Sequence, residues 1–257
     1  MKQDLLKRYS RQIILKNIGT FGQKKLFKSK ILIVGAGGLG CTVVDHLVRG
    51  GVGTIGVIDD DKINISNLHR QSLFSTSDLK KYKVDVLKKK SKQVNPNTKI
   101  KIFKKKINPN NIKNIIKNYE ILIDGSDNFK TKFLLNKYSI LFKKKLIVGA
   151  ISKFEGHIFS FDFNKRNCPC LKCFYQIVPS DNMLDCENDG VIGPVAGLIG
   201  SIQANEAIKT ILNIGNNLIG KILIMDLLSL NFRLAKYSKK KVVYVKNYFN
   251  YFNFFFL

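Results

Sequence analysis

A glycine-rich turn between two apolar runs constrains the fold of this chain more than any other feature. The run over 31–34 leads into Gly35-Ala36-Gly37-Gly38-Leu39-Gly40, which has the spacing G-x-G-x-x-G. A mostly apolar segment continues to Arg49, and a second run over 54–58 ends at Asp59. Strand, glycine turn, helix, strand and acid in this order predict a βαβ nucleotide-binding unit, rather than glycines that merely turn the chain.

This unit supplies the first candidate site residues. Glycines allow the backbone to approach a phosphate, and the helix that follows offers free N–H groups and the positive end of its dipole. Asp59 lies at the interval where an acid meets a ribose hydroxyl. The candidate nucleotide-binding glycines are Gly35, Gly37, Gly38 and Gly40.

A polar and charged run over 59–71 follows the second strand and contains Ser66, Asn67 and Arg70. Ligands of open α/β sheets bind beyond the carboxyl ends of the strands. Arginine offers planar, forked hydrogen bonds to phosphate oxygens. An arginine and an asparagine at this place favour a triphosphate site over the site of a dinucleotide oxidoreductase.

Five stretches of the sequence, taken together and in order, resemble one family. They are Arg8-Tyr9-Ser10-Arg11-Gln12-Ile13, 35–40, 59–71, Asp124-Gly125-Ser126-Asp127-Asn128 and 190–194. They resemble the ThiF/MoeB/HesA family of sulfur-carrier-protein adenylyltransferases, which are related to ubiquitin-activating enzymes. The resemblance covers about residues 5–235. It implies ATP-dependent adenylation of the C-terminal carboxylate of a small ubiquitin-like sulfur carrier, with release of pyrophosphate.

The resemblance also assigns nucleotide-binding roles to single residues. Asn67, Arg70 and Lys83 would hold phosphates, with Lys83 at the α-phosphate, where adenylyl transfer builds up negative charge. Ser66 and Asn128 would belong to the same nucleotide site. Lys83 lies in a lysine-rich amphipathic segment over 78–94 that predicts a helix.

Two further residues are matched to catalytic positions by the resemblance. Asp127 corresponds to a metal-associated aspartate, and a carboxylate beside phosphates suits Mg²⁺. Its alternative role is to cap the N-terminus of a helix over 129–142. Arg11 corresponds to an arginine that reaches into the ATP site of the neighbouring subunit, which implies a homodimer. The alternative for Arg11 is an exposed charge on an N-terminal helix.

The cysteines divide into a pair and a solitary residue. Five cysteines in an intracellular-looking chain indicate metal or catalytic roles rather than disulfides. Cys170 and Cys173 form a C-x-x-C, which the family combines with a second pair near the C-terminus to bind Zn²⁺. No cysteine follows Cys186 here, so the alternatives are a partial zinc site with Cys168 as third ligand, or free thiols. Cys186 resembles a family cysteine on the loop over the carrier tail and is a candidate for sulfur delivery.

The composition limits the partners and the location. The net charge is +26, but only six of the 44 basic residues are arginine and the lysines are scattered, so we expect no nucleic-acid partner. The positive surface instead helps to attract an acidic protein. No apolar run is long enough for a membrane span, and the N-terminus lacks a secretory signal. These features predict a cytoplasmic protein without membrane association.

Strands and helices alternate over the first 150 residues. This pattern predicts an α/β fold: a Rossmann-like, doubly wound, mainly parallel sheet. Runs over 221–226 and 230–235 predict a C-terminal antiparallel extension. We expect one adenylyltransferase domain over 1–236 and a divergent, basic, Phe-rich tail over 237–257.

The sequence therefore predicts an adenylyltransferase that uses ATP and Mg²⁺. Its carrier would be ThiS-like, for thiamine thiazole, or MoaD-like, for molybdopterin. The acids at 59–61 and the stretch 191–194 slightly favour the thiamine branch. The alternatives are an NAD-dependent oxidoreductase, a tRNA-modifying dehydratase of the same superfamily, and a non-catalytic remnant.

Overall fold

Helices and strands alternate through the part of the chain that the computed structural model describes, residues 3–177, 179 and 190–240. The strands are β1 (Lys30–Val34), β2 (Thr54–Ile58), β3 (Lys99–Phe103), β4 (Ile121–Asp124), β5 (Lys145–Ser152), β6 (Glu155–Asp162), β7 (Lys221–Asp226) and β8 (Asn231–Lys236). The helices are α1 (Gln3–Arg8), α2 (Ser10–Ile13), α3 (Gly19–Lys28), α4 (Gly38–Arg49), α5 (Lys83–Val94), α6 (Ile112–Ile116), α7 (Phe129–Leu141), α8 (Leu171–Phe174) and α9 (Gly193–Leu212).

All eight strands form one sheet, in the order β3-β2-β1-β4-β5-β6-β7-β8. The ladders from β3 to β5 are parallel, and those from β5 to β8 are antiparallel. The direction changes at β5, which pairs with β6 along its whole length, from Lys145 opposite Asp162 to Ser152 opposite Glu155. The predicted mainly parallel sheet with a C-terminal antiparallel extension is confirmed.

Both faces of the parallel half are buried, which explains the continuous apolar runs of its strands. Ile31 and Ile33 of β1 pack on one face with residues of α4, α5 and α9. Leu32 and Val34 of the same strand pack on the other face with residues of α6, α7 and α8. The sheet is therefore doubly wound. No helix among the described residues has the length and apolarity needed to cross a membrane.

The glycine turn connects β1 directly to α4 and sets the position of the helix. Gly35 has φ +94°, a conformation that side chains rarely adopt. A Cβ on Gly40 would lie 2.0 Å from the Gly35 carbonyl oxygen. The first turn of α4 thus lies directly on the end of β1, so that its N-terminus faces the carboxyl edge of the sheet.

The predicted helix over 78–94 is wrong in its first turn. Thr76–Asp78 is a 3₁₀ helix, and α5 begins only at Lys83. Ser75 and Asp78 cap this short helix reciprocally, and Lys80 has φ 66°, which no α-helix accommodates. The chain then pairs Tyr82 with Lys62 in an isolated bridge. This path brings Lys83 back to the end of β2.

Candidate active site

An open cleft of about 640 Å³ lies at the carboxyl ends of β1, β2 and β4. Strand order reverses here, because β1 pairs with β2 on one side and with β4 on the other, and such crevices are where ligands of doubly wound sheets bind. The cleft brings together most of the predicted site residues. Those lining it are Gly35, Gly37, Gly38, Asp59, Ser66, Asn67, Arg70, Lys83, Asp127 and Asn128.

The glycines of the turn have different roles. At Gly37 a Cβ would meet only the Gln71 side chain, at 3.9 Å, so this backbone is open to a ligand. At Gly38 a Cβ would lie 2.9 Å from the Ala196 Cβ and 3.2 Å from the Arg70 carbonyl oxygen, so that position is needed for packing against α9. Gly40 does not line the cleft. The cradle fits a phosphate beside the N-terminus of α4.

Asp59 is fixed at the end of β2 by backbone donors. Its Oδ2 accepts a 2.7 Å hydrogen bond from the Ala36 N–H, and its Oδ1 accepts one of 2.8 Å from the Asp61 N–H. Burial raises the pKa of Asp59, while Lys83 and the two N–H donors oppose that rise. Each carboxylate oxygen keeps a further lone pair, so Asp59 is able to accept ribose hydroxyls.

Lys83 and Arg70 are the two predicted cations that line the cleft beyond Asp59, and both have partners within the chain. Lys83 Nζ donates to Asp61 Oδ2 at 2.7 Å, with the lysine buried and the aspartate exposed. Arg70 Nη1 donates to the Ser66 carbonyl at 3.0 Å and lies 2.7 Å from His69 Nε2. Phosphate oxygens are stronger acceptors for a guanidinium than a carbonyl is. The arrangement therefore supplies positive charge where a polyphosphate would lie.

Asp127 follows β4 on the opposite wall of the cleft and is exposed. Its alternative role as a helix cap is wrong, because Asn128 caps α7 by accepting a 2.9 Å hydrogen bond from the Thr131 N–H. Across the cleft, the carboxylates of Asp59, Asp60 and Asp61 lie within 4.8 Å of one another. Hard carboxylate oxygens near a phosphate cradle fit Mg²⁺.

The remaining predicted residues lie elsewhere. Arg11 is exposed on α2 and does not line the cleft of its own chain. Cys186 lies outside the described residues. Cys170 and Cys173 lie beside a second cavity, with 3.7 Å between their sulfur atoms. Cys168 does not complete a cluster of three donors with them.

Sequence reasoning missed Lys132 as a site residue. It lines the cleft from α7, and its Nζ donates to the carbonyls of Ser126 and Gly149, each at 2.7 Å. The signal was present, since Lys132 lies three residues after buried Phe129 and three before buried Leu135, on the apolar face of the helix. Gln71 was also missed; its side chain is buried and its Oε1 has no partner among the described residues.

Comparison with known proteins identifies the family. The sequence matches the model described as the ThiF family over residues 9–244. The chain belongs to the ThiF family. The resemblance inferred from the five sequence stretches is thereby confirmed.

Curated ThiF-family relatives are similar along most of the chain. A probable molybdopterin-synthase adenylyltransferase of Gracilaria tenuistipitata var. liui is 40% identical over 242 residues, covering 94% of this chain and 68% of that protein. A sulfur carrier protein adenylyltransferase of Thermus thermophilus is 37% identical over 232 residues, covering 89% of this chain and 86% of that protein. The predicted enzyme class, adenylyltransferase, is confirmed, and it replaces the NAD-dependent oxidoreductase alternative.

Solved structures share the fold. E. coli MccB crystallised with ATP superposes with a TM-score of 0.79 at 24% identity, covering 91% of this chain and 72% of that one. This similarity supports the Rossmann-like architecture.

Proposed function

We propose that this ThiF-family protein adenylates the C-terminal carboxylate of a small sulfur-carrier protein, using ATP. The observation that carries the proposal is the convergence of Lys83, Arg70 and Asp127 on one cleft beside the glycine turn. Two relatives, named as adenylyltransferases for a sulfur carrier protein and for molybdopterin synthase, support the same substrate class.

The proposed reaction is a single displacement at phosphorus. A carboxylate oxygen of the carrier forms a bond to the α-phosphorus of ATP, the bond from that phosphorus to the bridging oxygen breaks, and pyrophosphate leaves with the electron pair. Gly37 and Asp59 would place the nucleotide, and Lys83 would stabilise the charge at the α-phosphate. Catalysis then depends on positioning and electrostatic stabilisation, not on a covalent enzyme intermediate.

Asp127 would hold Mg²⁺, which would neutralise phosphate charge when bound. Arg70 would hold phosphates of ATP, and Arg11 would bind the pyrophosphate end that leaves. Arg11 would act from the second subunit of a homodimer, in keeping with its exposed place outside its own cleft. Cys186 would serve sulfur delivery after adenylation. The choice between a thiamine and a molybdopterin carrier, and the cytoplasmic location, remain predictions.

The test is ATP–pyrophosphate exchange that depends on an added carrier ending in Gly-Gly. We expect exchange with the parent protein, and a loss of about 100-fold or more with Lys83→Ala or Arg70→Ala, because each removes a charge at the phosphates. Lys89→Ala is the matched control, since Lys89 is exposed on the same helix, α5. It should retain the parental rate.

The rivals give other outcomes. Exchange that requires tRNA instead of a carrier protein would favour the tRNA-modifying dehydratase. Adenylate formed equally fast by the parent and by the Arg70→Ala and Lys83→Ala proteins would contradict the site proposed here. No exchange with any carrier would favour the non-catalytic remnant.

A further inference from the structure

The C-x-x-C lies in a segment that we call the cysteine loop, residues 162–175, between β6 and the end of α8. Cys170 Sγ and Cys173 Sγ are 3.7 Å apart. Cys173 Sγ also accepts a hydrogen bond of 3.3 Å from the Cys170 N–H. The loop borders a cavity of about 1000 Å³, separate from the cleft of the proposed adenylation site. The pair alone offers two of the four ligands that a structural zinc ion requires.

In the part of the chain that the structure describes, the other donors needed for zinc do not gather around this pair. Cys168 Sγ is engaged with the backbone, accepting from the Asp162 N–H and donating to the Pro169 carbonyl, both at 3.3 Å. Across the described residues, no histidine, cysteine, aspartate or glutamate forms a cluster of three donors with the pair. After β8, the residues that line the cavity are Tyr237 to Lys240, which contribute a phenol, a serine hydroxyl and two lysines.

The charge around the cavity also opposes a divalent cation. Lys165, Arg166, Lys239 and Lys240 line it, and like charges repel in a partly enclosed space. Within residues 3–177, 179 and 190–240, the donors present therefore do not fit a structural zinc site.

Aromatic rings connect the cysteine loop to β6 and to the residue that follows β8. Tyr237 meets Phe174 with 5.7 Å between ring centroids and an angle of 72°. It meets Phe159 of β6 at 6.2 Å and 80°, and Phe159 meets Phe174 at 5.1 Å and 70°. Edge-to-face contacts of this kind contribute stability beyond the area that they bury. Lys239 Nζ also donates to the Arg166 carbonyl at 3.1 Å.

We propose that the cysteine loop is held without zinc, by an aromatic clasp of Phe159, Phe174 and Tyr237, and that Cys170 and Cys173 are free thiols. The Tyr237 hydroxyl fits this arrangement. It is buried and has no hydrogen-bond partner among the described residues. The ring, and not the phenol oxygen, is then the part of Tyr237 that stabilises the protein.

The first test measures metal in the full chain. The protein is produced in zinc-supplemented medium, its zinc content is measured by mass spectrometry, and its melting temperature is recorded with and without a chelator. We expect zinc far below stoichiometric and no change in melting temperature on chelation. Stoichiometric zinc, or a melting temperature that falls when the chelator is added, would overturn the proposal. Neither readout depends on adenylation activity.

The second test uses variants in the same melting assay. Tyr237→Ala should lower the melting temperature by about 4 °C or more, because it removes two ring contacts. Tyr237→Phe should keep it, and so should the double variant Cys170→Ser, Cys173→Ser. Phe232→Ala is the matched control, since Phe232 is a half-exposed aromatic on β8. The proposal would be overturned if the double serine variant melts at a lower temperature than the parent while Tyr237→Phe does not. This comparison holds even if Tyr237→Ala fails to fold.

Discussion

Lys132 and Asp124 form an ion pair inside the protein, with 3.1 Å between Nζ and Oδ2 and with side chains only 2% and 0% exposed. The same ammonium donates to two backbone carbonyls, so its three protons are all used. One of those carbonyls belongs to Ser126, next to Asp127. Lys132 is therefore a positioning residue for the wall of the cleft that carries Asp127.

Lys132→Met should destabilise the protein by about 3–5 kcal/mol, because it leaves the Asp124 charge buried and unpaired. The double variant Lys132→Met, Asp124→Asn should recover part of this loss, since it removes both charges. Urea unfolding of the parent, both single variants and the double variant measures the coupling. Strictly additive free energies would show that the pair does not act as a unit.

Substitution of two glycines in one turn should separate folding from binding. Gly40→Ala should destabilise the protein by about 1–3 kcal/mol or more, because its Cβ would lie 2.0 Å from a backbone oxygen. Gly37→Ala should fold normally yet bind ATP more weakly, because its Cβ enters the cleft. Melting curves and ATP titration measure the two effects. Gly197→Ala, in α9 where a Cβ meets nothing within 4 Å, is the control. Equal ATP affinity for the parent and Gly37→Ala would contradict the proposal that a phosphate of ATP binds against the backbone at Gly37.

The affinity for ATP should fall as the pH drops through the pKa of Asp59, because a protonated carboxyl accepts ribose hydroxyls less well. Burial already raises that pKa, and the charge of Lys83 holds the rise in check. In Lys83→Met the pKa should rise further, so the loss of affinity should begin at a higher pH. ATP titration across pH 4 to 8 tests this shift, with Lys89→Met as control. Identical profiles for parent and Lys83→Met would contradict it.

Asp78 should make stability depend on pH in the acid range. Burial raises its pKa, but bonds with Lys90 and Ser75 outweigh burial, and the net pKa lies below the ordinary value. Its contribution is thus present above the unfolded pKa and is lost as the pH falls through the folded one. Asp78→Asn should cost about 1–3 kcal/mol at pH 7. The difference in the free energy of unfolding between the parent and Asp78→Asn should become smaller towards pH 3, as measured by urea unfolding.

Asp45→Asn provides the comparison for Asp78, because Asp45 forms a more exposed pair with Arg49 on α4. Its effect should stay below about 1 kcal/mol. If Asp78→Asn lowers the free energy of unfolding by the same amount at pH 7 and at pH 3, the carboxylate charge is not what stabilises this turn.

Arg11 should complement a defect in the other subunit. Arg11→Ala and Asp127→Ala proteins should each be nearly inactive alone. A mixed dimer would retain one site with both residues, so equal mixing followed by subunit exchange should restore about a quarter of the parental exchange rate in a twofold dimer. Pyrophosphate exchange before and after mixing measures this. No recovery, with mixed dimers shown to form, would place Arg11 at its own site or at none.

Regular parts of the fold could be predicted because short-range patterns determine them. The strands at 54–58 and 99–103 have the predicted bounds. An apolar run indicates the first and apolar alternation the second, and glycine or polar residues flank both. The first turn of the helix over 78–94 was wrong because the reciprocal bonds of Ser75 and Asp78 end a 3₁₀ helix there. Such capping depends on local geometry that hydrophobic periodicity does not encode.

The site was predictable where motifs carry it and not where tertiary contacts do. Asp59 and Arg70 follow from their place after a strand. The place of Lys132 on the apolar face of α7 can be read from the sequence, but its ion pair with Asp124 is a tertiary contact that cannot. The choice between Asp127 and Asn128 as helix cap needed the observed bond to Thr131. Cys170 and Cys173 are recognisable from spacing alone, but what surrounds them is not.

The uninterrupted sheet limits how this enzyme is able to evolve and be engineered. β5 pairs with β4 on one side and with β6 on the other. A gene divided on either side of β5 would therefore encode two fragments, each with an unpaired strand edge. Such fragments aggregate. Recombination within the sheet therefore cannot exchange the nucleotide-binding half without breaking strand pairs. We expect new specificities to arise by point substitutions in the intact domain.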